Sequence, residues 1–173
     1  MKLTGDKINL RFPTFDDVES IARYANDSAI SEYTYIPYPY DKSDAVEFLN
    51  LTAEVHKEKT GLHFALEDKQ SGNVVGMIGF NTINYMHLHA EVGYWVARDF
   101  WGKGYSVEAV NLLVAYAFSK TELERIYAYV RPENIASWKL LEKTGFEREG
   151  LLKKLMRKDD KRYDHYIYAI VKS

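Results

Sequence analysis

Residues 96–106 read Val-Ala-Arg-Asp-Phe-Trp-Gly-Lys-Gly-Tyr-Ser and join a predicted strand to a long predicted helix. Gly102 and Gly104 allow the backbone of this loop to approach a bulky anion closely. The helix that follows from Ser106 offers unpaired N–H groups and a partial positive charge at its N-terminus. The loop therefore predicts a site for a pyrophosphate group, although a tight turn before a capped helix would use the same two glycines.

The spacing of these glycines excludes two other phosphate-binding loops. A Rossmann site needs a longer glycine pattern within a strand–helix–strand unit, and a Walker loop needs Gly-Lys-Ser/Thr in direct succession. Neither pattern occurs around residues 102–104. Lys103 either adds a full positive charge beside the anion or points into water, and the sequence leaves both arrangements open.

The composition is that of a globular protein and excludes several functional classes. With 173 residues, of which 46% are hydrophobic and 28% charged, the chain fits a single domain over residues 1–173. A formal net charge of -2 lacks the basic excess that nucleic-acid binding requires. The absence of cysteine excludes disulfides, thiolate metal sites and a cysteine acyl-enzyme.

The sequence also contains no pattern that predicts a metal site or a membrane segment. The five histidines lack the spacing of metal ligands. No stretch has the apolar length of a secretory signal or of a membrane-spanning helix. We therefore expect a cytoplasmic protein with no metal, no nucleic-acid partner and no membrane partner.

The order of the predicted elements indicates an α+β fold. Hydrophobic spacing gives the order β-α-α-β-β-β-α-β-α-β-β, and prolines make Tyr33–Tyr40 a stiff aromatic loop. We expect one mixed, mostly antiparallel sheet flanked by helices, with the three central strands as an antiparallel meander. The predicted strands are Ile8–Phe12, Leu62–Glu67, Val74–Asn84, Ala90–Ala97, Glu124–Arg131, Phe146–Met156 and Arg162–Val171. The predicted helices run from about Pro13 to Asn26, from Asp41 or Ser43 to before Gly61, from Ser106 past Phe118, and from Asn134 to Lys143.

Several blocks of the chain resemble the GNAT superfamily of N-acetyltransferases. The loop at 101–106 resembles the pattern Gln/Arg-x-x-Gly-x-Gly/Ala through Gly104, with Trp101 and Ser106 as departures. Residues 90–96, which precede Trp-Gly-Lys-Gly, resemble the branch of ribosomal-protein alanine N-acetyltransferases, and so do residues 131–137 with the later Gly-Phe pair. The resemblance implies a GNAT-like fold and transfer of an acetyl group from acetyl-CoA to a primary amine.

The same resemblance implies which residues hold acetyl-CoA, in a cleft where two parallel strands separate. Backbone groups of one strand would pair with the pantetheine arm, and an N–H there would stabilise the oxyanion that develops during acyl transfer. The loop and the first turn of the following helix would bind the pyrophosphate. The implied residues are Tyr94, Trp95 and Val96 on the strand, Gly102, Lys103, Gly104, Tyr105, Ser106 and Val107 in the loop and helix, and Asn134.

Two residues are candidates for catalysis. An amine near neutral pH is protonated, so a base or a water relay must remove a proton, and Glu91 is our candidate. The alternative is that Glu91 only pairs with a neighbouring cation or backbone group. Many GNAT enzymes have a tyrosine at the position of Leu141 to protonate the thiolate, whereas Ser137 resembles the serine of the ribosomal-protein branch. Ser137 would donate to the thiolate, or it would only cap a helix.

The acceptor is predicted only as a class. Tyr38 in the proline-bounded loop and Tyr163 near the final strand resemble positions that the family uses around the amine. The acceptor would be the N-terminal amine of a ribosomal or other protein, or a small amine such as a polyamine, an amino acid or an antibiotic. A catalytically silent acyl-CoA-binding module is the alternative function. Exposed strand edges in such a sheet are also compatible with a homodimer.

Overall fold

The computed structural model describes residues 1–173, which form eight strands and five α-helices. The strands are β1 (Lys2–Thr4), β2 (Ile8–Arg11), β3 (Leu62–Asp68), β4 (Val74–Asn84), β5 (His89–Val96), β6 (Arg125–Val130), β7 (Glu147–Lys158) and β8 (Lys161–Val171). The helices are α1 (Val18–Ala25), α2 (Ser28–Tyr33), α3 (Lys42–Glu58), α4 (Tyr105–Lys120) and α5 (Ile135–Lys143). None of these helices is both long enough and apolar enough to span a membrane.

All eight strands belong to one sheet, in the order β1-β2-β3-β4-β5-β6-β8-β7. Every neighbouring pair is antiparallel except β5 and β6, which are parallel. The parallel pair requires a crossover, which α4 supplies. The predicted mixed, mostly antiparallel sheet and its central antiparallel meander β3-β4-β5 are confirmed.

Helices cover both faces of the sheet, and each face has its own apolar core. On one face, Val110 and Leu113 of α4 and Leu141 of α5 pack with Phe64 and Ile126 of the sheet. On the other face, residues of α1 and α3 pack with β3 and β4, and this second core contains Ile21, Ala45, Leu49, Ala65 and Met77. The alternation of side chains along the strands therefore sorts residues between two helical layers.

Local signals explain where the long helices begin. Asp41 accepts hydrogen bonds from the N–H groups of Ser43 and Asp44, while Asp44 accepts one from the N–H of Asp41. This reciprocal capping box starts α3 at the predicted position. α4 instead begins after Gly104, whose φ of 86° places it in the left-handed region, and no side chain caps it.

Two short elements were not predicted, and they correct the predicted order by one additional strand and one additional helix. β1 has three residues and pairs with β2 through a turn at Gly5 and Asp6. α2 has six residues and begins at Asp27, whose side chain accepts from the N–H of Ala29. Both elements are too short to show a hydrophobic period.

Candidate functional site

The parallel strands β5 and β6 separate partway along their length. Cα partners link them only at His89–Arg125, Ala90–Ile126 and Glu91–Tyr127. Beyond this point β5 stays paired with β4 and β6 stays paired with β8, so the edges that face each other have no partner strand. The result is a cleft at the carboxyl ends of two parallel strands, where α/β sheets commonly bind ligands.

The glycine loop lies at the end of β5, beside this cleft. Gly102 and Gly104 have φ values of 71° and 86°, which L side chains rarely adopt. The indole N–H of Trp101 donates to the carbonyl of Val96 over 2.6 Å and anchors the loop to the strand. The first turn of α4 exposes N–H groups that have no partner within the helix. This arrangement suits a pyrophosphate, because the N–H groups and the helix dipole both favour an anion.

Two lysines add positive charge near the loop. Lys103 is exposed, and its ammonium group lies 5.7 Å from the centroid of the Phe100 ring. Lys7, from the turn between β1 and β2, donates to the backbone carbonyl of Lys103. Sequence reasoning missed Lys7, since no local pattern relates two residues so far apart in the chain.

The remaining loop residues fix the start of α4. The hydroxyl of Tyr105 donates to Asp68 over 2.8 Å, and Asp68 is buried at the end of β3. Burial, and then the bond to Asp68, raise the pKa of Tyr105 to about 12. Ser106 and Val107 are half-buried in the same turn. The hydroxyl of Tyr105 therefore links the start of α4 to the end of β3.

Glu91 occupies the last paired position before the cleft opens. The side-chain amide of Asn81 donates to its carboxylate over 3.2 Å, and none of the ion pairs in the structure includes Glu91. A Cβ built on Gly93 would lie 2.7 Å from the amide nitrogen of Asn81, so glycine leaves room for this contact. Burial, followed by the negative charge of Glu91, raises the pKa of Tyr127. The Glu91 carboxylate therefore lies among neutral polar groups.

Ser137 lies in the first turn of α5, but another residue caps that helix. The side-chain oxygen of Asn134 accepts from the N–H of Ser137 over 3.3 Å. The hydroxyl of Ser137 instead lies 2.9 Å from the hydroxyl of Tyr94 on β5. Leu141 is 1% exposed and belongs to the core, so its position offers no proton donor. The Tyr94–Ser137 contact connects the two sides of the cleft.

The two candidate catalytic residues are associated with opposite faces of β5. Tyr94 packs against the core formed with α4 and α5, whereas Trp95 packs against the core formed with α1 and α3. Because side chains alternate along a strand, Glu91 shares the face of Trp95. A candidate base on one face and a candidate hydroxyl donor on the other suit an amine that attacks the thioester from one side and a thiolate that leaves on the other.

The two tyrosines that we predicted around the acceptor line one pocket. Tyr38 and Tyr163 meet in a cavity of about 290 Å³, although they are far apart in the chain. Its other lining residues are Ser28, Ser31, Glu32, Arg131, Lys158 and Asp159. The guanidinium carbon of Arg131 lies 3.7 Å from the centroid of the Tyr163 ring. The pocket thus joins α2, the aromatic loop, the end of β6 and the β7–β8 hairpin.

The cations of this pocket are occupied by backbone carbonyls. Lys158 donates to the carbonyls of Ser31 and Thr34, and Arg131 donates to the carbonyl of Glu32 over 3.0 Å. These hydrogen bonds supply partners to the carbonyl groups at the C-terminal end of α2, which have none within the helix. The carboxylates of Glu32 and Asp159 form no ion pair. The pocket therefore contains two carboxylates that form no ion pair, next to the two cations Arg131 and Lys158.

Comparison with known proteins identifies the family. The profile described as "Acetyltransferase (GNAT) domain" matches residues 7–147. The chain belongs to the GNAT superfamily. The resemblance noted in the sequence is thereby confirmed, and the chain is a GNAT-type N-acetyltransferase.

Relatives within the GNAT superfamily act on different amines. The uncharacterized N-acetyltransferase p20 of Bacillus licheniformis is 32% identical over 98% of this chain and 96% of its own. The spermidine N(1)-acetyltransferase of Vibrio cholerae is 31% identical over 86% of this chain and 83% of its own. The [ribosomal protein uS5]-alanine N-acetyltransferase of Escherichia coli is 30% identical over 70% of this chain and 63% of its own.

A solved structure gives the same fold with its ligand bound. The microcin C7 self-immunity acetyltransferase MccE, in complex with acetyl-CoA and AMP, superposes with a TM-score of 0.88. It is 26% identical, and the match covers 96% of this chain and 93% of that protein. The predicted GNAT-like fold is therefore confirmed.

Proposed function

We propose that this GNAT N-acetyltransferase binds acetyl-CoA in the cleft between β5 and β6 and transfers the acetyl group to a primary amine. The observation that carries the proposal is the glycine loop with its uncapped helix N-terminus, placed at the mouth of a cleft with two unpaired strand edges. An extended arm with an anionic end has the shape and charge that such a site recognises.

The residues of the site divide between the parts of this donor. The segment from Gly102 to Val107 would hold the pyrophosphate through backbone N–H groups, with Lys7 and Lys103 adding positive charge. The free edge of β5 at Tyr94–Val96 and the side-chain amide of Asn134 would hold the pantetheine arm. Acetyl-CoA supplies an activated acetyl thioester.

Residues of the chain itself would accept the proton of the amine and stabilise the charges that develop during the reaction. Glu91 accepts the proton of the amine, directly or through water, from the face of β5 that lies opposite Ser137. A backbone N–H at the free edge of β5 stabilises the oxyanion. Ser137 donates a hydrogen bond to the departing sulfur.

The acceptor in our proposal is a primary amine that enters through the pocket of Tyr38 and Tyr163. The carboxylates of Glu32 and Asp159, which form no ion pair, offer hydrogen-bond acceptors to the ammonium group of an acceptor, beside the two cations Arg131 and Lys158. Both a protein N-terminus in a basic segment and a polyamine have this chemistry. The relatives named above include an enzyme of each kind.

Two measurements test the proposal. Calorimetry should show saturable binding of acetyl-CoA and weaker binding of pantetheine, which lacks the pyrophosphate. A thiol-release assay should then detect free CoA with at least one member of a panel of N-terminal peptides, polyamines, amino acids and aminoglycosides. Binding without turnover on any amine would favour the silent module, and no binding at millimolar acetyl-CoA would refute the proposal.

A further inference from the structure

A hydrogen bond between two hydroxyl groups crosses the cleft at the level of α5. The Tyr94 hydroxyl, from β5, lies 2.9 Å from the hydroxyl oxygen of Ser137 and 3.5 Å from its backbone carbonyl. The ring of Tyr94 packs on the core that contains Leu141. The phenol of Tyr94, which comes from β5, thus reaches the first turn of α5.

The direction of this hydrogen bond decides what Ser137 can do. A serine hydroxyl has one hydrogen and two acceptor lone pairs. If Tyr94 donates to it, the single Ser137 hydrogen stays available to another acceptor. If Ser137 donates to Tyr94 instead, it has nothing left to donate. Asn134 already caps the backbone of this turn, so no nearby backbone group requires the Ser137 hydroxyl as a cap.

Burial keeps the Tyr94 hydroxyl protonated, so that it is able to donate. It raises the pKa of Tyr94 to about 12, although the hydrogen bond with Ser137 acts in the opposite direction. Tyr94 therefore remains a protonated phenol over the whole range in which an acetyltransferase is assayed. A phenol whose hydroxyl contacts only Ser137 can fix an orientation without giving up its proton.

We infer that Tyr94 is a positioning residue: its hydroxyl donates to Ser137 and directs the Ser137 hydrogen towards the sulfur of CoA. This inference rests on the proposed function. It assigns to Tyr94 a side-chain role in addition to the backbone contact expected of its strand. It also explains how the site works with leucine at position 141.

The reaction balances without a proton from Tyr94. The amine nitrogen forms a bond to the acetyl carbon, and the carbon–sulfur bond breaks. Sulfur leaves as a thiolate with the electron pair of that bond, stabilised by the hydrogen bond from Ser137. The proton lost by the amine goes to Glu91 or to water, and the thiolate takes a proton from solvent on release.

A titration of bound CoA tests this inference without any acceptor amine. The thiolate of CoA absorbs ultraviolet light, so its pKa can be measured in the protein–CoA complex. Tyr94→Phe and Ser137→Ala should each raise the pKa of the bound thiol by about one unit, since a hydrogen bond to a charged group is lost or misdirected. Both variants should bind CoA within about twofold of the wild type.

The matched control is Tyr168→Phe. The hydroxyl of Tyr168 donates to Glu142 over 2.9 Å, so this variant also removes a bond between a buried tyrosine and α5. It lies away from Ser137 and should leave the thiol pKa unchanged. If Tyr168→Phe raises the pKa as much as Tyr94→Phe, the effect comes from α5 packing and the inference is overturned.

Kinetics with an active amine provide the second test. Tyr94→Phe should lower kcat about tenfold without raising the KM for acetyl-CoA. In the background of Ser137→Ala it should cause no further loss, because both residues act on one hydrogen bond. An unchanged thiol pKa in a folded, CoA-binding Tyr94→Phe variant overturns the inference and leaves the proposed function intact. Failure of the wild type to bind CoA refutes both.

Discussion

At the scale of single residues, the carboxylate of Glu91 has a neutral partner, the amide of Asn81. Glu91→Gln should therefore fold normally and bind acetyl-CoA as the wild type does, while kcat falls by about 100- to 10,000-fold. The loss should be largest at low pH, where more of the amine is protonated. Steady-state rates between pH 6 and 9 measure this, with the exposed Glu147→Gln as the control. An unchanged pH–rate profile would remove Glu91 from the mechanism.

A second residue-scale prediction concerns Glu67, which accepts from Arg11, Asn9 and Lys2. The bond from Arg11 is the main cause that lowers the pKa of Glu67 to about 2. An unfolded glutamate titrates near ~4.3, so the stabilisation is present above that pH and is lost as pH falls towards 2. Glu67→Gln should lower the unfolding free energy by about 2 kcal/mol at pH 7 and by about half as much at pH 3, which lies between the folded and unfolded pKa values.

Urea unfolding at several pH values checks this prediction. Glu19→Gln is the matched control, because Glu19 pairs with Lys42 while its side chain is 74% exposed. Exposed ion pairs contribute about 0–1 kcal/mol, so this variant should change little at any pH. A Glu67→Gln deficit that stays constant from pH 7 to pH 3 would show that packing, not charge, explains the effect.

The side-chain contacts at the site were the part that the sequence could not predict. The pattern placed Ser137 and Asn134 in one helical turn, but it did not say which of them caps the helix. Only the structure shows that Asn134 caps it and that Ser137 meets Tyr94 across the cleft. That contact depends on the relative position of β5 and α5, and no local spacing encodes it.

At the scale of elements, the glycine loop depends on backbone conformation. Gly104→Val should weaken acetyl-CoA binding about tenfold or more, because the side chain strains a left-handed residue and obstructs the N–H groups of α4. Gly72→Val is the matched control. Gly72 has a φ of 75° with open space around it, in the turn between β3 and β4. Calorimetry should show weaker acetyl-CoA binding only for Gly104→Val. Equal losses of acetyl-CoA affinity in both variants would contradict a local role of Gly104 in binding.

The elements that the sequence predicted well are those with a long hydrophobic period or a strong boundary signal. α3 begins at the predicted cap Asp41, and α4 extends over sixteen residues with its apolar positions in the core. β1 and α2 were missed because tertiary contacts hold them: Lys2 of β1 pairs with Glu67, and Lys158 binds the end of α2. Partners distant in sequence cannot be read from either segment.

At the scale of the whole molecule, the pocket of Tyr38 and Tyr163 is assembled from four separate parts of the chain. Ser31 and Tyr38 come from the N-terminal third, whereas Arg131, Lys158 and Tyr163 follow the crossover helix. The folded sheet brings Arg131 and Tyr163 to the same end of two neighbouring strands, because the end of β6 pairs with the first half of β8. Family resemblance predicted the two tyrosines, but it did not predict the cations that bind the end of α2 or the unpaired carboxylates beside them.

The last prediction uses this pocket to separate amine binding from donor binding. Tyr38→Ala and Tyr163→Ala should each raise the KM for the amine about tenfold, since truncating an aromatic side chain at a binding site removes much of its contact energy. Tyr163→Phe should have less effect, because the ring that stacks on Arg131 remains. Tyr35→Ala is the control: Tyr35 lies in the same loop, is 66% exposed and does not line the pocket. The affinity for acetyl-CoA should stay constant in all four variants. Equal losses of affinity for the amine and for acetyl-CoA would show that this pocket is not the acceptor site.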